Sequence, residues 1–108
     1  PLGARARPVK VFLVAGEPSG DRLGGAVMAG LRALRPGIAF DGVGGPAMEA
    51  EGLRPRFPMS DLTVMGLVEV LPRYRQLRRR LDETVAAVRE SRPDVLLLDE
   101  PAAGLMRS

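Results

Sequence analysis

The chain has 108 residues, 45% of them apolar but only 4% aromatic, with 15 Arg and a single Lys against 13 acidic residues for a net charge of +3. That is room for one small domain, or a piece of a larger one, with a core of Leu, Val, Ala and Met. His and Cys are both missing, which excludes disulfides, Cys/His zinc sites, a Ser-His-Asp triad and a His general base, and leaves any acid–base work to Asp, Glu or Tyr.

Pro1 to Pro8 reads as a frayed leader. Arg5 and Arg7 are not followed by a long apolar core, so no secretory signal is expected. No apolar run approaches the ~18 residues of a membrane-spanning helix, and a cytoplasmic location is the default. Val9 to Ala15 is apolar apart from Lys10, the pattern of a parallel strand covered on both faces. It ends in the loop Gly16-Glu17-Pro18-Ser19-Gly20-Asp21, after which Leu23, Val27, Leu31 and Leu34 recur at helical spacing. Strand, tight loop and helix make the first half of a βαβ unit, and ligands bind outside the carboxyl ends of such strands. Gly16 and Gly20 let a substrate approach the main chain, and Ser19 or Asp21 can cap the helix; equally, these residues serve simply as turn and cap. The glycines Gly24, Gly25 and Gly30 weaken the helix by about 1 kcal/mol each, so close packing on the sheet or on a ligand is expected in return. Arg35-Pro36-Gly37 stops it.

Ile38 to Val43 suits a second parallel strand, followed by the loop Gly44-Gly45-Pro46 and a short helix Ala47 to Glu51 closed by Gly52. Either glycine loop is a ligand contact or plain punctuation. Leu53 to Phe57 reads as a brief strand between prolines. Leu62 to Leu71 is apolar nearly all round, with Glu69 its one ionisable group, and periodicity does not separate helix from loop there. Pro72 then opens a long helix with the stripe Tyr74, Leu77, Leu81, Val85 and Val88. Five arginines fall within residues 73–80; those beside the apolar segment suit a membrane surface, the rest a solvated face. Arg92-Pro93 ends the helix. Asp94 to Leu98 reads as a third buried strand, with Asp99 and Glu100 at its carboxyl end.

Ala15-Gly16-Glu17-Pro18-Ser19-Gly20-Asp21, Gly42-Val43-Gly44-Gly45-Pro46-Ala47-Met48, Glu51-Gly52 and Val64 to Leu71 resemble, in order and spacing, the start of bacterial lipid-A-disaccharide synthases. The resemblance implies an α/β fold, a Rossmann-like parallel sheet with helices on both faces. Residues 9–108 would be a partial N-terminal, acceptor-side domain of a GT-B glycosyltransferase, without the C-terminal sugar-nucleotide domain. It implies transfer of 2,3-diacylglucosamine from UDP to 2,3-diacylglucosamine 1-phosphate (lipid X) on the cytoplasmic side of the inner membrane. The partners would be those two substrates and an anionic membrane surface, with no nucleic acid, no cofactor and no metal; a homodimer stays open.

By position in that resemblance, Asp99 matches the carboxylate that follows the family's strand, with Glu100 as rival because the register slips by one. Gly16, Glu17, Ser19, Gly20, Asp21, Gly44 and Gly45 would bind substrate. Met65, Val68, Val70, Leu71, Arg73, Tyr74, Leu77 and Arg78 would meet lipid. Leu96-Leu97-Leu98-Asp99-Glu100-Pro101 also looks like the Walker B segment of an ABC-type ATPase, but no Gly-x-x-x-x-Gly-Lys-[Ser/Thr] phosphate cradle accompanies it. A non-catalytic nucleotide-binding module is the remaining alternative.

Overall fold

The computed structural model describes residues 9–62, 67–100 and 102–103, with side chains placed outside 67–74. The leader and Met65 lie outside the described residues. Strand β1 (Lys10–Val14) leads into α1 (Pro18–Leu34), then β2 (Ala39–Val43), a short α2 (Pro46–Ala50), a single 3₁₀ turn (Met59–Asp61), the long α3 (Leu67–Ser91) and β3 (Val95–Leu98). The three strands form one parallel sheet in the order β2-β1-β3. A doubly covered sheet explains why β1 is apolar on both sides. Phe12 and Val14 join Val43, Phe57, Leu62 and Ala87 in one core cluster, against which Leu77, Leu81 and Val88 of α3 pack. Val11, Leu13 and Ala15 point the other way and join Met28 of α1, Met48 of α2 and Leu53 in a second cluster. Phe12 and Met28 are fully buried, each contributing about 2–3 kcal/mol by leaving water.

The lone lysine spans the edge of this arrangement: Lys10 Nζ donates to the Ser91 carbonyl at 2.9 Å and its N–H to Asp94 Oδ2 at 2.8 Å. In β2, Gly42 has φ +137° and a Cβ there would run into the Leu13 carbonyl, so the central pairing requires glycine. The segment after α2 is held by the fork of Arg56, which donates from Nε and Nη2 to Asp41 at 2.9 and 2.6 Å above the ring of Phe12. That hydrogen bond with Asp41 raises the Arg56 pKa beyond its usual range.

Five expectations change. Helix α1 begins at Pro18, because proline fits the first helical position, where no N–H partner is needed. It docks through Asp21, Gly25 and Met28, with Val27 and Leu31 of the predicted stripe partly buried beside them and Leu23 and Leu34 left 66% and 84% exposed. Leu53 to Phe57 is not a strand: Leu53 N–H returns to Met48 O and Arg56 N–H to Gly42 O, leaving no ladder. Helix α3 begins at Leu67, five residues before Pro72, so the proline lies in its second turn at the cost of the one intrahelical bond it cannot donate. Finally β3 is not buried: Val95, Leu96 and Leu97 are 45%, 41% and 38% exposed, with Val95 and Leu97 lining an open apolar groove beside Val27 and Leu31 of α1.

Candidate functional site

Parallel register brings the carboxyl ends of the three strands to one edge. Val14 is level with Val43 and with Leu98, so Gly16, Gly44 and Asp99 emerge side by side. Ala15 N–H still donates to Val43 O (2.9 Å), and Asp99 N–H to Val14 O (3.1 Å), extending both ladders to the loops. The two glycine loops and the acidic end of β3 therefore share one edge, as the strand pattern implied.

The side chain of Asp99 is fixed by main chain. Oδ2 accepts the Gly16 N–H at 2.7 Å, and Oδ1 accepts the Ala102 N–H at 2.9 Å. The Ala103 N–H returns to the Asp99 carbonyl at 2.9 Å, so the chain turns helically right after the strand. Glu100 begins that turn and is exposed. Gly20, in the first turn of α1, faces Asp99: a Cβ on Gly20 would collide with Oδ2 and lie 2.9 Å from both Cβ and Cγ of the aspartate. An apolar cleft of about 170 Å³ opens beside them between α1 and β3, walled by Leu13, Leu23, Val27, Met48 and Leu97.

Asp21 has a different task from the one expected. It is 4% exposed. Its Oδ1 accepts the N–H groups of Gly45 (2.8 Å) and Met48 (2.9 Å), and Oδ2 that of Ala47 (2.9 Å). It caps α2, a helix more than twenty residues on, rather than its own helix, whose N-cap is Glu17 without a side-chain bond. One buried carboxylate thus satisfies three otherwise orphaned donors and ties the second glycine loop to α1. Gly44 and Gly45 are themselves buried, Gly44 beneath Met48 and Gly45 beneath Asp21. Glu17 and Ser19 stand nearer solvent and bond each other, Ser19 Oγ donating to Glu17 Oε1 at 2.7 Å.

Of the residues expected to meet lipid, Leu77 is half-buried against the Phe12 cluster. Arg78 is exposed and 3.6 Å from Asp82. Val68, Val70, Leu71, Arg73 and Tyr74 lie on α3 with side chains outside the described set. Among the described residues no helix is long and apolar enough to cross a membrane. Sequence reasoning missed the contact of Gly20 with Asp99 and the reach of Asp21. The glycines of α1, costly to a helix, were the one signal of tight packing.

A Rossmann-like α/β unit with glycine loops and a held aspartate at the carboxyl edge of its sheet is the class defined here. The model of the family described as lipid-A-disaccharide synthetase matches residues 11–106, the Asp99 tail included. The lipid-A-disaccharide synthase of Ruegeria pomeroyi is 63% identical over 103 residues, 94% of this chain and 26% of that protein. Those of Paramagnetospirillum magneticum and Pseudomonas aeruginosa are 52% and 55% identical over 81% and 86% of this chain, and 23% and 25% of theirs. The chain belongs to the lipid-A-disaccharide synthase family. It spans about a quarter of the length of the curated relatives it matches.

Proposed function

We propose that this chain is the acceptor-side part of a glycosyltransferase of lipid A biosynthesis, acting with the longer protein of which its relatives are examples. The reaction is transfer of 2,3-diacylglucosamine from UDP to the 6-hydroxyl of lipid X at the cytoplasmic face of the inner membrane. Asp99 is the base. It takes the proton of the acceptor hydroxyl as that oxygen bonds to the anomeric carbon, while the bond to UDP breaks on the opposite face, inverting the centre. Charge on departing UDP is met by groups outside this segment. Glu17 and Ser19 border the acceptor, while Gly16 and Gly20 back the Asp99 carboxylate; Asp21 with Gly44 and Gly45 holds the neighbouring loop in place. Val68, Val70, Leu71, Arg73 and Arg78 of α3 meet the lipid surface.

The observation that carries the reading is the carboxylate of Asp99 at the shared loop edge, in a chain of this family. In the full-length protein Asp99→Ala should lower kcat by about 10²–10⁴-fold, the usual worth of a general base, with Glu100→Ala near wild type. The reverse pattern moves the base to Glu100, and full activity in both variants overturns the assignment.

A further inference from the structure

Asp99 owes its place to a neighbour that has no side chain. Its oxygens are committed to Gly16 N–H at 2.7 Å and Ala102 N–H at 2.9 Å. Its Cβ and Cγ occupy the space where a Gly20 side chain would begin. A methyl group on Gly20 would press on the whole aspartate side chain rather than on a flexible tip. The aspartate would have to leave the Gly16 amide, because α1 is anchored by its buried contacts at Asp21, Gly25 and Met28. Gly30 on the same helix has open space around its Cα. Intrinsic helix preference favours Ala at both positions, so only the contact with Asp99 separates them.

We propose that Gly20 is a positioning residue: the Gly16 amide and the bare Cα of Gly20 form a socket that aims the Asp99 carboxylate at the acceptor hydroxyl. This rests on the assignment of Asp99 as base. Gly20 needs no contact with substrate to act. Displacing a reacting group by about 1 Å can cost on the order of 10²-fold in rate, while the binding surface for the acceptor is left in place.

The test is made in the full-length enzyme with Gly20→Ala, Gly30→Ala, Asp99→Ala, Asp99→Gly and the double variant Gly20→Ala/Asp99→Gly. Gly20→Ala should lower kcat about 10²-fold with KM changed by less than about threefold, and Gly30→Ala should match wild type. Thermal unfolding supplies the second readout: any Tm lost in Gly20→Ala should be absent when the same change is made in the Asp99→Gly background, where the whole clashing side chain, Cβ included, is gone. Normal kcat in Gly20→Ala beside an inactive Asp99→Ala overturns the socket and leaves the base assignment standing. A Tm loss that persists in the double variant overturns it too, since the clash then lies elsewhere. Full activity in Asp99→Ala removes the base, and the proposed role of Gly20 falls with it.

Discussion

Asp21 shows how far one side chain can act along the sequence. Three backbone donors converge on a carboxylate that is almost wholly removed from water. Asp21→Ala leaves the amides of Gly45, Ala47 and Met48 unpartnered where water reaches poorly, a cost of about 2–4 kcal/mol when capping and desolvation are combined. Urea unfolding of the full-length protein should show that loss. Asp21→Asn keeps one acceptor oxygen for two of the donors and should lose less, because only one donor then meets an NH₂ group. Equal losses in the two variants would mean that charge, not geometry, holds α2. The Arg56–Asp41 fork works over a shorter span and is partly exposed, with side chains at 40% and 25%, so it is worth less. The sign is that of a raised cation: the folded state favours charged Arg56, and its contribution is present below the ordinary guanidinium range for as long as Asp41 is a carboxylate, and lost as pH rises beyond that range.

At the scale of elements, the glycines of α1 separate packing from propensity. A Cβ on Gly25 would stand 2.9 Å from the carbonyl oxygen of Ala47, a backbone atom that cannot turn aside. Gly25→Ala should therefore destabilise despite gaining about 1 kcal/mol in helix preference, whereas Gly30→Ala should keep that gain in full. Chemical denaturation of the two variants compares them directly, and a stabilising Gly25→Ala would show that α2 is free to shift. The pattern of residues was enough to find the strands and the first loop, because β1 is apolar on both faces and Gly16 to Asp21 interrupts it sharply. It also put both glycine loops and Asp99 on one edge, since parallel strands allow nothing else. The docking face of α1 was only partly legible: leucine periodicity points to Leu23 and Leu34, yet the helix settles on Gly25 and Met28, with Gly25 against the backbone of α2 at Ala47. The partners of Asp21 lie 24 to 27 residues away, beyond any local pattern. Pro72 looked like a helix start because proline favours the first turn, and the apolar run before it carried no helical period of its own.

Across the whole molecule, sheet edge and α3 offer two different surfaces. The described chain amounts to about a quarter of its relatives, and a transfer reaction needs groups for the departing UDP as well as a base for the acceptor. Residues 1–108 alone should therefore form no disaccharide, and measurable product from them would show that both groups lie within this segment. The second surface is the amino half of α3. Arg75, Arg78 and Arg79 are exposed, and the 3.6 Å pairing of Arg78 with Asp82, itself in water, is too weak to occupy it. Each arginine near an anionic leaflet is worth about 1 kcal/mol, so Arg73→Gln, Arg75→Gln and Arg78→Gln together should weaken binding of the full-length protein to anionic vesicles by roughly 100-fold, and added salt should erase the difference. Leu77 does not belong in that test, since it packs against the Phe12 cluster and its loss would be felt as stability. Val68→Ser with Leu71→Ser supplies the apolar arm: vesicle binding should fall while Tm stays within a few degrees. Should the serine pair unfold the protein and the glutamine variant bind vesicles as before, this half of α3 is an internal surface and the lipid contact lies elsewhere.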